Sequence, residues 1–205
     1  AALGLRAPPL LGAMRALSRA ACTLAARVVA LTDGMAELAR AQGARVVDVI
    51  PQGADLGLFG PQVAPWRPAG AASHEMLAVY AGTHGAANGL DALLDAAGAL
   101  RGVPVRIVLV GEGARKPGLM ARAAAEGLAN VTFLDPLPKP RLAALLAGSQ
   151  VGLLCLAPVP AFAEWTAPNK LVEGLAAGLP MVVNVPGRAA RLVEAGGCGL
   201  AVPPG

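Results

Sequence analysis

The stretch MLAVYAGTHGAANGLDALLDAAGALRGVPVRIVLVGEG, residues 76–113, decides how this chain folds. Met76 to Tyr80 is a run of β-formers without polar alternation. It passes through small residues into an Ala/Leu helix, Gly89 to Leu100, and a second apolar run, Val105 to Val110, follows. Strands apolar on both faces belong to parallel sheets covered by helices, and a parallel pair needs a crossover of this length. The stretch is a βαβ unit.

The same alternation extends both ways. Further strands are expected at Val28 to Leu31, Val46 to Ile50, Val131 to Leu134, Val151 to Leu156, Met181 to Val183 and Gly199 to Val202. Helices are expected at Pro9 to Ala26, Asp33 to Gln42, Pro117 to Glu126, Pro140 to Ala147, Pro168 to Ala177 and Gly187 to Ala195. Pro117, Pro140 and Pro168 fall where a first helical turn tolerates a missing N–H. Six strands and five intervening helices from Met76 onward suffice for one α/β domain with a doubly wound parallel sheet. Between Pro51 and Ser73 the periodicity collapses into PQGADLGLFGPQVAPWRPAGAAS, which reads as a linker. The expected organisation is therefore the tail of a preceding domain over 1–50, a linker over 51–73 and a Rossmann-like domain over 74–205.

Composition narrows the function. With 55% hydrophobic residues among 205, the chain can bury a sizeable core, which excludes disorder; with only 3% aromatics, it lacks the stacking platforms of single-stranded nucleic-acid binders. Its excess of basic residues is local. Arg6, Arg15, Arg19 and Arg27 stand in the first 32 residues without an acid, and the remaining 13 basic side chains are matched by 13 acidic ones. A folded surface so balanced argues against nucleic acid as a partner. Cys22, Cys155 and Cys198 are far apart and have no metal-ligand spacing, so no metal is expected and the cysteines read as small apolar residues in a reducing compartment. Arg15, Arg19 and Arg27 interrupt every stretch from 8 to 31 that might span a membrane. The acid-free start resembles a transit peptide, yet it begins Ala-Ala and runs straight into folded-looking sequence, as the first helix of a fragment would.

In an open parallel sheet, ligands bind beyond the carboxyl ends of the strands. After Tyr80 come Gly82, Thr83, His84, Gly85 and Asn88, small or polar residues before a helix, where backbone can approach a phosphate; a plain tight turn fits equally well. Glu112 in Gly111-Glu112-Gly113 reads as a ligand contact or a solvated turn residue. Pro136 and Leu137, in the stiff Asp135 to Pro140 loop, read as a base contact or a rigid connection. The fullest constellation is TAPNKLVE, residues 166–173. Asn169, Lys170 and Leu171 open a helix whose N-terminal amides and Lys170 charge suit a diphosphate. Glu173, one turn on, can accept a ribose diol or stand as a solvated acid. His74 reads as solvated, and Trp66 and Trp165 as packing residues. No dinucleotide fingerprint follows any strand, which argues against an oxidoreductase.

The ordered set VVALTDGMAELARAQG, VIPQGADLGLF, YAGTHGAANGLDALLDAA, IVLVGEG, NVTFLDPLPK, APNKLVEGLAAGLPMVV and GLAVPPG resembles the retaining glycosyltransferases of the GT-B fold, family 4, along nearly the whole chain. Gly53, Asp55 and Phe59 keep the pattern of the family's interdomain hinge. The GTHG and PNK-x-x-E forms are similar to the bacterial subgroup that transfers N-acetylated aminodeoxy sugars such as L-fucosamine in O-antigen and capsule synthesis. The resemblance implies a nucleotide-sugar donor, expected to be a UDP-sugar, bound by the C-terminal domain, and a glycan or polyprenyl-linked acceptor bound by the N-terminal one. No cofactor besides that co-substrate is implied, and a 205-residue fragment is expected to be inactive alone. Glu173 matches the second Glu of the family's E-x7-E motif; the partner position is Trp165, with Glu164 displaced by one. The Arg and Lys that clamp the diphosphate are absent, with Thr83 and His84 near the first position and Asn88 at the second. Lys170 and Glu173 are then the expected catalytic residues, and a degenerate nucleotide-sugar-binding module is the competing reading. The resemblance places the protein in the cytoplasm, either free or against the inner face of the membrane. The basic first helix suits anionic headgroups or simple solvation alike.

Overall fold

The computed structural model describes residues 8–204, so Arg6 of the basic N-terminal set lies outside the described residues. The chain divides into two compact units. One takes residues up to Gln52 together with Val159–Pro168, and the other takes Gly53–Pro158 and Asn169 onward.

The smaller unit holds helix α1 (Pro8–Leu24), strand β1 (Val28–Ala30), helix α2 (Asp33–Ala41) and strand β2 (Val47–Val49). The two strands pair in parallel, Val28 opposite Val47. Thr32 caps α2: its Oγ1 accepts from the Met35 N–H at 3.1 Å. Asp33 in the first turn and Arg40 in the last complement the helix dipole.

The larger unit is a six-stranded parallel sheet. Its strands are β3 (Met76–Ala81), β4 (Val105–Val110), β5 (Val131–Leu134), β6 (Val151–Leu154), β7 (Met181–Val183) and β8 (Gly199–Ala201). The spatial order is β5-β4-β3-β6-β7-β8, the doubly wound order in which the winding reverses between β3 and β6. Helices α3 (Asp91–Ala99), α4 (Lys116–Ala125) and α5 (Lys139–Ala147) follow β3, β4 and β5. After β6 come a short α6 (Phe162–Trp165) and α7 (Asn169–Ala176), and α8 (Arg188–Ala195) joins β7 to β8. All eight expected strands form, most with ends within a residue of the expectation.

Side-chain alternation sorts the core into two layers. Ala78, Tyr80, Ile107 and Leu109 face Leu94 and Ala97 of α3 and Leu119 and Ala123 of α4. Leu77, Val79, Val108 and Val110 face Leu142, Leu145 and Leu146 of α5. Burial on both faces is why β3 and β4 carry no polar alternation.

Three features differ from expectation. Residues from Gly53 to Ser73, read as a linker, group with the larger unit: Phe59 is buried beside α5, and the Trp66 amide donates to the Ala144 carbonyl at 2.8 Å. The guanidinium of Arg141 lies 3.6 Å from the Trp66 ring centroid. Second, α6 was not expected; its segment joins the smaller unit, where the Thr32 hydroxyl donates to the Glu164 carbonyl at 2.8 Å. Third, Pro168 precedes α7 rather than opening it, while Pro117 and Pro140 do sit in their helices' first turns. No described helix is long and apolar enough to cross a membrane.

Candidate functional site

The reversal between β3 and β6 opens the crevice where a doubly wound sheet binds its ligand. Beyond β3 the chain keeps its pairing with the loop after β4. The Gly82 amide donates to the Val110 carbonyl at 2.9 Å and the His84 amide to the Glu112 carbonyl at 2.7 Å, and the His84 carbonyl accepts from the Arg115 amide at 2.9 Å. This close approach needs Gly111, where a Cβ would lie 2.0 Å from the Gly82 oxygen. A 3₁₀ turn, Ala86–Asn88, follows, and Gly89 in the left-handed region (φ 57°) leads into α3. Its missing Cβ lets Ala157, after β6, come close enough to donate to the Ala87 carbonyl at 2.9 Å. The small residues of GTHGAANG thus lock the loop against both neighbouring strand ends.

Lys170, in the first turn of α7, stands at the centre of this arrangement. Its ammonium lies 3.3 Å from both the Tyr80 hydroxyl and Asn88 Oδ1, and 4.6 Å from the Tyr80 ring centroid. Gly82 leaves the room for it, since a Cβ there would lie 3.0 Å from Lys170 Cε. The Tyr80 hydroxyl donates to the Thr83 carbonyl at 2.9 Å, and Asn88 Nδ2 donates to the same carbonyl at 2.8 Å. Among the described residues no carboxylate pairs with Lys170. Burial pushes its ammonium down to about 8, with Cys155 opposing slightly. A half-buried cation without an acid, at a helix N-terminus, attracts an anion.

The remaining expected residues divide. Asn169 is exposed at the start of α7, where the first amides have no intrahelical partner. Thr83 is exposed with its carbonyl taken, and Gly85 caps the 3₁₀ turn. Glu173 lies one turn beyond Asn169 and is bound by Lys139, at the start of α5, whose ammonium also sits 5.5 Å from the Phe59 ring centroid. Pro136 is exposed and Leu137 partly buried against the α5 layer. Two expected ligand contacts turn inward. Leu171 is buried, and so is the whole His84 side chain, between Tyr80 and Phe133 with neither ring nitrogen hydrogen-bonded. Burial lowers the His84 pKa, and its backbone groups are already used. Glu112 is also committed: it binds Lys116 Nζ at 2.6 Å, and that buried ammonium binds Asp135 at 2.7 Å.

Tyr80, Lys116 and Lys139 are the site residues that the sequence reading missed. Tyr80 is the chain's single tyrosine, and the parity of β3 puts it on the same face as Ala78. An apolar pocket of about 340 Å³ elsewhere, lined mainly by aliphatic residues such as Ala92, Leu93, Ala96, Val151 and Val182, with Asn184 and Cys155 at its wall, carries no cation to hold a phosphate. Among the described residues no His, Cys, Asp or Glu cluster is grouped as metal ligands would be.

The doubly wound, Rossmann-like parallel sheet matches the fold of solved GT-B glycosyltransferases. Within that class the chain belongs to the glycosyl transferases group 1 family, whose model matches residues 75–205. No protein of curated function matches the sequence. Among solved structures, Anabaena HepE in complex with UDP and glucose is similar at TM-score 0.75 and 22% identity, over 97% of this chain and 56% of that one. Sucrose-phosphate synthase from Thermosynechococcus elongatus is similar at TM-score 0.73 and 23% identity, over 94% and 49%. WaaG, a glycosyltransferase involved in lipopolysaccharide biosynthesis, gives TM-score 0.67 and 17% identity, over 85% and 48%. The chain thus spans about half the length of these neighbours.

Proposed function

We propose that the larger unit binds the nucleoside-diphosphate half of a sugar donor and serves a transferase that moves the sugar to a glycan or lipid-linked acceptor. The observation that carries this reading is Lys170: a half-buried cation paired with no carboxylate among the described residues, at the sheet's switch point and the first turn of α7. The diphosphate is the leaving group, and negative charge grows on it as the anomeric bond breaks. A preorganised ammonium and helix amides stabilise that charge more in the transition state than in the ground state. Glu173 takes the ribose hydroxyls, exchanging part of its contact with Lys139. The family membership supports the transferase class, and the UDP held by HepE makes UDP the first nucleotide to test.

Retention, the family 4 subgroup for N-acetylated aminodeoxy sugars, and a place in bacterial surface-polysaccharide synthesis are the finer parts of this reading. They rest on the GTHG and PNK-x-x-E forms. An acceptor role for residues 1–50, and contact of the basic α1 with an anionic membrane face, belong to the same proposal. Calorimetric titration of UDP, GDP and ADP into the purified chain tests the donor site: one of them should bind with submillimolar affinity. If none binds at millimolar concentration, the donor site is refuted.

A further inference from the structure

Around Lys170 the hydrogen bonds close into a circuit. The Lys170 ammonium donates to the Tyr80 hydroxyl and to Asn88 Oδ1, and both of those side chains donate to the Thr83 carbonyl. An ammonium has three donors, and the circuit uses two. Lysine is otherwise a flexible point charge whose position in a site is not fixed by its own chemistry. We propose that Tyr80 and Asn88 are positioning residues: they fix the Lys170 ammonium at the switch point and leave one N–H aimed at a phosphate oxygen of the nucleoside diphosphate.

This inference rests on the donor reading above and assigns work that reading does not. Asn88, expected as a direct ligand contact, has both ends of its amide committed to protein partners. Tyr80 is wholly buried, so it acts only through Lys170 and Thr83. The circuit also links the loop after β3 to the start of α7. The titratable groups facing the ammonium are Tyr80 from β3 and Cys155 after β6. Burial raises both, the thiol to about 11, so each is neutral near pH 8. Glu173 on the same helix is engaged by Lys139.

The test titrates the Lys170 ammonium by NMR in the isotopically labelled 205-residue chain without ligand, for wild type, Tyr80→Phe, Asn88→Ala and Asn88→Asp, with folding checked by thermal melting. UDP and uridine affinities are measured on the same proteins. Removing the Tyr80 hydroxyl takes away an acceptor that favours the charged form, so the midpoint should fall; the added carboxylate of Asn88→Asp should raise it. UDP should bind Tyr80→Phe and Asn88→Ala about three- to tenfold more weakly than wild type while uridine affinity stays unchanged, the loss expected for one hydrogen bond. Midpoints that ignore all three substitutions overturn the circuit, and the donor reading then survives if Lys170→Met still weakens UDP. Midpoints that move while UDP affinity does not overturn the positioning role. Absence of UDP binding to wild type overturns this proposal together with the donor reading.

Discussion

Lys170 and His84 are both titratable groups that burial holds below their ordinary values, so each makes stability rise with pH, but in a different window. The folded Lys170 titrates near 8 against an ordinary 10.5, so between those pH values the unfolded chain binds more protons. Stability of the unliganded protein should therefore rise across pH 8 to 10.5 and lose that slope in Lys170→Met, as chemical denaturation at stepped pH will show. His84 is also held below its ordinary 6.5, so the stability it contributes is complete above that pH and is lost as pH falls toward its folded value. Its unpaired ring nitrogens cost about 1–3 kcal/mol each when left without partners. His84→Leu should thus match or exceed wild-type stability at neutral pH and show less acid sensitivity in the same denaturation series. Glycines separate as sharply. Gly111→Ala drives a Cβ into the Gly82 carbonyl and should cost about 2 kcal/mol or more, whereas Gly118→Ala, in α4 with open space around it, should gain about 0.5–1 kcal/mol. Thermal melts of the two variants should move in opposite directions.

The first two turns of α7 carry two side chains with different expected partners, Lys170 and Glu173, and they can be told apart. If Glu173 holds the ribose and Lys170 the diphosphate, Glu173→Ala should weaken uridine and UDP alike, while Lys170→Met weakens UDP alone. Lys139→Ala breaks a pair whose lysine is half exposed and should cost under about 1 kcal/mol of stability. Calorimetry with both ligands, beside melting curves, reads these effects. The strands and main helices were legible because apolar runs without alternation, separated by Ala/Leu helices, have one economical arrangement. Helix α6 was not, since FAEW is too short to show a period. Residues 53–73 read as a linker because Phe59, Val63 and Trp66 bury themselves at irregular spacing. In the site, the helix start at Asn169-Lys170 was legible from composition and helix physics. The inward turn of His84 was not, because strand alternation ends before it. The contact of Lys170 with Tyr80, 90 residues earlier, belongs to the sheet order rather than to any local pattern.

For the whole chain, the division into two units has a thermodynamic signature. A ligand that binds only the folded larger unit raises its stability by about 2.7 kcal/mol at a hundredfold excess over Kd. Scanning calorimetry with saturating UDP should shift the larger unit's unfolding upward. A separate transition of the smaller unit, where it is resolved, should stay in place. Such a shift would locate the nucleotide in the unit that carries the group 1 family match over residues 75–205. The central claim is narrower: one ammonium, held at the switch point, recognises the diphosphate. It is tested most directly by the ratio of UDP to uridine affinity in wild type and Lys170→Met, measured by titration calorimetry at pH 7. Loss of one charge-assisted hydrogen bond predicts that the ratio falls about tenfold or more, with uridine affinity unchanged. An equal ratio in the two proteins would contradict it.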